Sequence, residues 1–230
     1  MMEREELLRA SAGRHSVRAY DGLALTDEDR TYLEARIAAI NAEAGLHIQL
    51  TCGEPAAFDS LLAHYGKFSG VVNYLVLAGP DTPGLDEACG YWGELLVLEA
   101  QARGMRTCWV GGTFSKRKAK FALAKGERLS LVVSLGYGIT DGRPHPVRKT
   151  ANDVAKVPVG VAAPEWFAAG VEEALLAPTA MHQQKFRFEL CADGEHVRVT
   201  TAAGPFAKVD LGIAKLHFEL GSGKDASVWA

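Results

Sequence analysis

Arg14-His15-Ser16-Val17-Arg18 places two guanidinium groups and a hydroxyl at two-residue intervals. In extended backbone, residues two apart face the same way, so Arg14, Ser16 and Arg18 can converge on one ligand. A phosphate suits that set, since guanidinium forks match its charge and geometry and a hydroxyl adds a further hydrogen bond. The bland reading of the same residues is an exposed polar arm. A second segment, LAPTAMHQQKFRF (176–188), ends a helix on small residues and a proline, then gathers amides and an imidazole ahead of a strand. Such a turn presents donors to a planar heteroaromatic ligand, or simply stops a helix. In a third, TCWVGGTF (107–114), Gly111 and Gly112 let backbone approach a ligand closely and aim amide hydrogens at it; a plain tight turn is the other reading. There is no H-E-x-x-H, and GSGK (221–224) lacks the earlier glycine and following Ser/Thr of a phosphate-binding loop. No nucleophile with a base, and no set of metal ligands at the right spacing, stands out.

These segments need elements to hold them. Thr26, with Asp29 three residues on, opens a helix carrying Leu33, Ile37 and Ile40, and Gly45 is placed to end it. Leu46, Ile48 and Leu50 alternate with polar neighbours as a half-buried strand, and VVNYLVLA (71–78) reads as a continuous apolar one. A helix follows over Tyr91–Arg103, stopped by Gly104; TCWV is a short strand, and a basic helix is expected from about Ser115 to Lys125. LSLVVSLGYG (129–138) is a core strand. Residues 139–164 hold four prolines and read as a linker or wrapping arm. Beyond it come a helix starting at Pro164 with Phe167, Val171, Ala174 and Leu175 inward, a strand through Phe186, Phe188 and Leu190, and a helix from about Leu211 to Leu220. Gly93 to Gly104 and Gly212 to Gly223 bracket two of these helices at the same 11-residue interval, which suggests an internal repeat. The class expected is α+β, helices covering mixed or antiparallel sheets.

Composition narrows the partners. The 230 residues are 48% hydrophobic and 23% charged, enough for a buried core. Twenty-five Lys and Arg against 28 Asp and Glu leave a net charge of −3, which makes no electrostatic case for nucleic acid or an anionic membrane. Cys52, Cys89, Cys108 and Cys191 are scattered, as expected of a reduced compartment. With no apolar leader in the first residues and no run of 18 apolar residues, a soluble cytoplasmic protein is expected.

Together the three segments resemble the FMN-dependent nitroreductase family. RHSVRAYD is similar to its R-x-S-x-R/K flavin motif, and APTAMHQQKFRF to its A-P-S-x-x-N-x-Q-P-W-x-F segment. GYWGELLVLEAQARGMRTCWVGGTF resembles its helix and glycine loop; GYG with Arg148-Lys149 resembles its closing G-Y-P and basic residues. The order departs from the ordinary family: the A-P-T segment follows the G-Y-G segment instead of preceding it. That order resembles the branch, first seen in thermophilic bacteria, in which one chain carries two half-folds.

The resemblance implies a nitroreductase-like fold with residues 1–150 carrying the FMN phosphate and N5 segments, and 151–230 a second half-fold completing the flavin site in cis. It implies that Arg14, Ser16 and Arg148 hold the phosphate, that Arg18 sits by the pyrimidine edge as the catalytic charge, and that the Gly111 and Gly112 amides face N5. Pro178, Thr179, His182 and Gln184 would line the flavin from the second half. His182 stands where the family has Asn, and Lys185-Phe186 where it has Pro-Trp. The implied activity is an NAD(P)H oxidoreductase working by ping-pong hydride transfer through FMN to a nitroaromatic, quinone or similar acceptor, as a monomeric pseudo-dimer or a homodimer. Two alternatives stand beside it. One is an FMN carrier or sensor without turnover; the other is a module docking an acidic protein through Lys116, Arg117, Lys118 and Lys120.

Overall fold

The computed structural model describes residues 2–146 and 148–230. Seven helices and seven strands follow in the order α1 (Arg4–Gly13), α2 (Asp27–Ala44), β1 (Gln49–Thr51), α3 (Leu61–Tyr65), β2 (Asn73–Pro80), α4 (Leu85–Ala102), β3 (Arg106–Val110), β4 (Glu127–Gly136), α5 (Ala151–Val154), β5 (Ala155–Lys156), α6 (Glu165–Ala174), β6 (Phe186–Leu190), β7 (Val197–Thr201) and α7 (Ala207–Ser222). The first four strands form an antiparallel sheet in the order β1-β2-β4-β3. The last three form a mixed sheet, β5 parallel to β6 and β6 antiparallel to β7. The α+β class with helix-covered sheets is therefore what the chain adopts.

Alternation along β2 and β4 explains why their sequences read as unbroken apolar runs. Leu75 and Leu77 with Val133 and Leu135 face α2 and α4, meeting Leu33, Ile37, Ile40, Leu96 and Leu98. Tyr74, Val76 and Val132 face the opposite way, into Val17, Tyr20, Phe58 and Phe114. Both faces are buried, so no polar positions interrupt the run. Leu131 belongs to a third core, where Phe167 and Val171 of α6, Phe186 and Phe188 of β6, and Ile213 and Phe218 of α7 pack together.

The helix expected over 27–44 forms as its caps dictate. Thr26 Oγ1 accepts from the Asp29 amide, and Gly45 closes the helix at φ +63°. The strand at 46–51 is shorter than expected, β1 holding only Gln49–Thr51. Helix α4 starts at Leu85, earlier than expected, with Asp86 and Glu87 favourably placed in its first turn.

No helix forms over 115–125; the segment makes one turn at Ser115–Ala119 and then runs irregularly. Side chains of the sheet claim its backbone instead. The Lys120 amide donates to Tyr74 Oη, Thr51 Oγ1 donates to the Lys120 carbonyl, and the Gln49 amide group brackets Ala122 at both N and O. Lys116, Arg117, Lys118 and Lys120 are exposed but lie on this irregular segment, not on a helix face. The arm at 139–164 is not purely a linker, since α5 and β5 arise from it and β5 extends the second sheet.

α4 and α7 lie against each other at two glycines. A Cβ on Gly90 would stand 2.1 Å from the Val209 carbonyl oxygen, and one on Gly212 1.9 Å from that of Glu87. Backbone meets backbone there, and this close approach joins the element carrying the first sheet to the element carrying the second.

Candidate active site

The chain from Ser16 to Tyr20 is held extended beside the end of the first sheet. Ser16 bridges Thr107 of β3, the Val17 amide donates to the Thr107 carbonyl, and Tyr20 pairs with Gly138. Val17 turns into the core at 1% exposure, so its neighbours Ser16 and Arg18 are directed the other way. They line a cavity of about 590 Å³ together with Gly111, Gly112, Arg148, Pro178, Thr179 and His182. The opening segment and the 178–182 turn, some 160 residues apart in sequence, thus share one pocket.

Arg14 and Gln184 do not line this cavity. They lie on the wall of an adjoining chamber of about 450 Å³, which shares His145, Arg148, Pro178 and His182 with the first and adds His15 and Lys149. α1 runs as far as Gly13, so Arg14 is its capping residue and is drawn inward towards α4. Among the described residues its Nε and NH1 are buried without a hydrogen-bond partner, as is Gln184 Oε1. Leaving buried donors or acceptors unpaired costs about 1–3 kcal/mol each, so these atoms, just behind the chamber wall, are hydrogen-bonding capacity that a ligand reaching them would satisfy.

The turn after α6 is strained and pinned from outside. Met181, His182 and Gln184 all have left-handed φ values, 52°, 52° and 46°, a conformation non-glycine residues adopt at a cost of about 1–3 kcal/mol each. Asp210 of α7 accepts the Ala180 amide with both carboxylate oxygens (3.0 and 3.1 Å), Lys149 Nζ donates to the Gln184 carbonyl (2.6 Å), and Arg148 NH1 to that of Met181 (3.3 Å). His182 stacks on His145 at 4.8 Å between ring centroids. Burial holds both imidazoles below the usual histidine range. His182, Arg14 and Arg18 add to the effect at His145, and Arg148 adds to it at His182. Both rings are thereby biased towards the neutral form.

The first cavity is basic at the end it shares with the chamber and apolar at the other, where Leu131, Val209, Ile213 and Phe206 stand. Phe206 precedes α7 at φ +60°, and its ring lies directly on Gly111, where a Cβ would come within 2.2 Å of it. Asp210 is the one carboxylate among the described residues lining this cavity. Burial raises its pKa to about 6, against the lowering effects of the Ala180 amide and Lys185. Because the folded value lies above the unfolded one, this carboxyl contributes stability that is complete below the unfolded pKa near 3.8 and lost as pH rises through 6. Urea unfolding of the protein and of Asp210→Asn between pH 4 and 7 should show the native protein losing about 1–3 kcal/mol relative to the variant across that interval. Parallel pH profiles would show that the carboxyl is not desolvated.

Sequence reading missed Asp210, Phe206 and His145. Asp210 could have been flagged as an acid within the apolar run VDLGIA; the other two carry no local signal.

A two-sheet α+β fold with a cavity between the first sheet and the second half, lined by Arg18 and Arg148 as well as by Leu131, Val209 and Ile213, is that of nitroreductase-type oxidoreductases. The chain belongs to the family described as "Putative TM nitroreductase", which matches residues 6–222. It is similar in fold to a "putative nitroreductase" from Thermotoga maritima (TM-score 0.64, 18% identity, 96% of this chain and 85% of that one). A nitroreductase-like protein from Streptococcus mutans is also similar (TM-score 0.52, 17% identity, 66% and 97%). No curated protein matches the chain. Among the described residues no helix is long and apolar enough to cross a membrane.

Proposed function

We propose that the protein is an FMN-dependent NAD(P)H oxidoreductase of nitroreductase type, passing electrons from NADH or NADPH to a nitroaromatic, quinone or similar small acceptor in a ping-pong cycle. The observation that carries this reading is the convergence of Ser16, Arg18, Gly111-Gly112, Arg148 and the 178–182 turn on one cavity that adjoins a basic chamber. The residues fit FMN on their own chemistry: unspent Arg14 donors suit a phosphate, and the unspent Gln184 oxygen suits a hydroxyl. Bound there, FMN would supply the two-electron chemistry that the side chains lack.

The protein's part is to hold and bias the coenzyme. Arg14, Ser16 and Arg148 would bind the phosphate, Gly111 and Gly112 would offer amides to N5, and Pro178, Thr179, His182 and Gln184 would line the flavin from residues 151–230. The two halves, 1–150 and 151–230, would so complete one site in cis, whether the chain acts as a monomer or pairs as a homodimer. Arg18 would stand at the pyrimidine edge. A unit charge about 4 Å away is worth roughly 1–4 kcal/mol between effective dielectrics of 80 and 20. Arg18 is exposed, so the lower part of that range applies.

A carrier or sensor without turnover is the second reading, favoured by Phe206, whose ring covers Gly111 beside the proposed N5 position. The visible spectrum separates the two. We expect a yellow protein bleached anaerobically by NADH or NADPH. Tight FMN without bleaching would mark a carrier, and a colourless protein that takes up no added FMN would end both. Arg18→Ala should slow bleaching about tenfold, about 1.4 kcal/mol, with little change in FMN affinity; equal losses in both would contradict this role.

A further inference from the structure

A closed cluster of buried charges lies behind the basic chamber. Arg14 caps α1, Glu94 lies on α4, Glu173 on α6 and His217 on α7, with Ser11 of α1 and Trp109 of β3 completing it. Glu94 and His217 are 0% exposed and Arg14 6%. His217 Nε2 is 3.1 Å from Glu94 Oε1; its Nδ1 is 3.2 Å from Glu173 Oε1 and 3.2 Å from Ser11 Oγ. With a carboxylate at each ring nitrogen, both nitrogens must donate, which makes the ring an imidazolium. Burial, the largest single influence, pulls the His217 pKa down, but the hydrogen bonds and charges of Glu173 and Glu94 outweigh it and hold it above the usual histidine range.

Each oxygen of Glu94 thus already has one hydrogen-bond partner. Trp109 Nε1 donates to its Oε2 at 2.7 Å and His217 to its Oε1. Arg14 Nε is left 3.7 Å from Oε1, close enough for attraction but beyond a hydrogen bond. An arginine and a carboxylate buried together ordinarily close into a bidentate pair. Here they do not, and the guanidinium keeps its donors.

We propose that His217, together with Trp109, is a positioning residue for the anion site: by occupying Glu94 it leaves Arg14 free to bind the phosphate of FMN. The inference rests on the FMN reading above. Without the His217 donor, Glu94 would take Arg14 as its partner, and phosphate would have to compete with a buried carboxylate for the same nitrogens.

FMN fluorescence titration tests this in the native protein, His217→Phe, Glu94→Gln and the double variant, each checked for native circular dichroism. His217→Phe should bind FMN about tenfold more weakly. Glu94→Gln should bind at least as tightly as the native protein, and adding it to His217→Phe should restore affinity to within about threefold. A purely structural role would instead leave the double variant weaker than either single one. Unchanged affinity in His217→Phe, or no rescue by Glu94→Gln, overturns the proposal. If His217→Phe does not fold, Glu94→Gln carries the test: tighter binding supports the proposal, and equal or weaker binding overturns it. Native protein that takes up no FMN removes the cofactor reading and this inference with it; native binding with unaffected variants removes the inference alone.

Discussion

Arg14→Ala is expected to weaken FMN binding by roughly ten- to a hundredfold while costing the folded protein less than it costs binding. A hydrogen bond to a charged group is worth about 1.5–3 kcal/mol, and each 1.4 kcal/mol is a factor of ten in affinity. The loss should shrink as ionic strength rises, because part of it is attraction between a guanidinium and a phosphate. The stability side follows from what surrounds Arg14. Its Nε and NH1 make no hydrogen bond among the described residues, and Glu94 keeps its bonds from Trp109 and His217 when the guanidinium is gone, so what folding loses is the 3.7 Å attraction to Glu94 and the packing of the side chain. Relief of the unsatisfied buried donors offsets part of that loss. The thermal unfolding temperature of the FMN-free variant should therefore fall by only a few degrees, about 1 kcal/mol, while fluorescence titration shows the larger affinity loss. A large fall in apo stability, with affinity for FMN retained, would make Arg14 a structural residue and empty the phosphate assignment.

Gly212→Ala should destabilise the protein by about 3 kcal/mol. In an exposed helix interior the change would be favourable by about 1 kcal/mol, since alanine is the better helix former. In α7 the new methyl meets the Glu87 carbonyl oxygen at 1.9 Å and the Tyr91 amide nitrogen at 2.7 Å, both backbone atoms of α4. Neither can rotate away, so the helices must separate, and the packing on both sides of the contact loosens with them. The consequence reaches the site, because α7 begins at Phe206 and Asp210, which line the first cavity. The urea midpoint should fall and FMN affinity with it. A stability gain would show that the two helices are not held at this contact.

Much of the architecture was legible in the chain itself because it rests on local rules. Thr26 and Gly45 delimit α2 through cap geometry that needs no distant partner. Leu33, Ile37 and Ile40 mark its buried face, and the apolar run at 71–78 is what a strand buried on both faces must look like. The residues Ser16, Arg18, Gly111, Gly112, Thr179 and His182, singled out through the family resemblance, all line one cavity. Tertiary structure decided the rest. The basic segment at 115–125 has a helical composition, but Gln49, Thr51 and Tyr74 bind its backbone and hold it out of a helix. Arg14 reads as the neighbour of Ser16, yet as the cap of α1 it lines the adjoining chamber and not the cavity that Ser16 lines. Glu94, Asp210 and His217 stand in apolar helical runs where periodicity assigns only burial. What each does depends on the polar or charged group that another segment brings within about 3 Å, and interactions at that range are set by folding in three dimensions and leave no period along the chain.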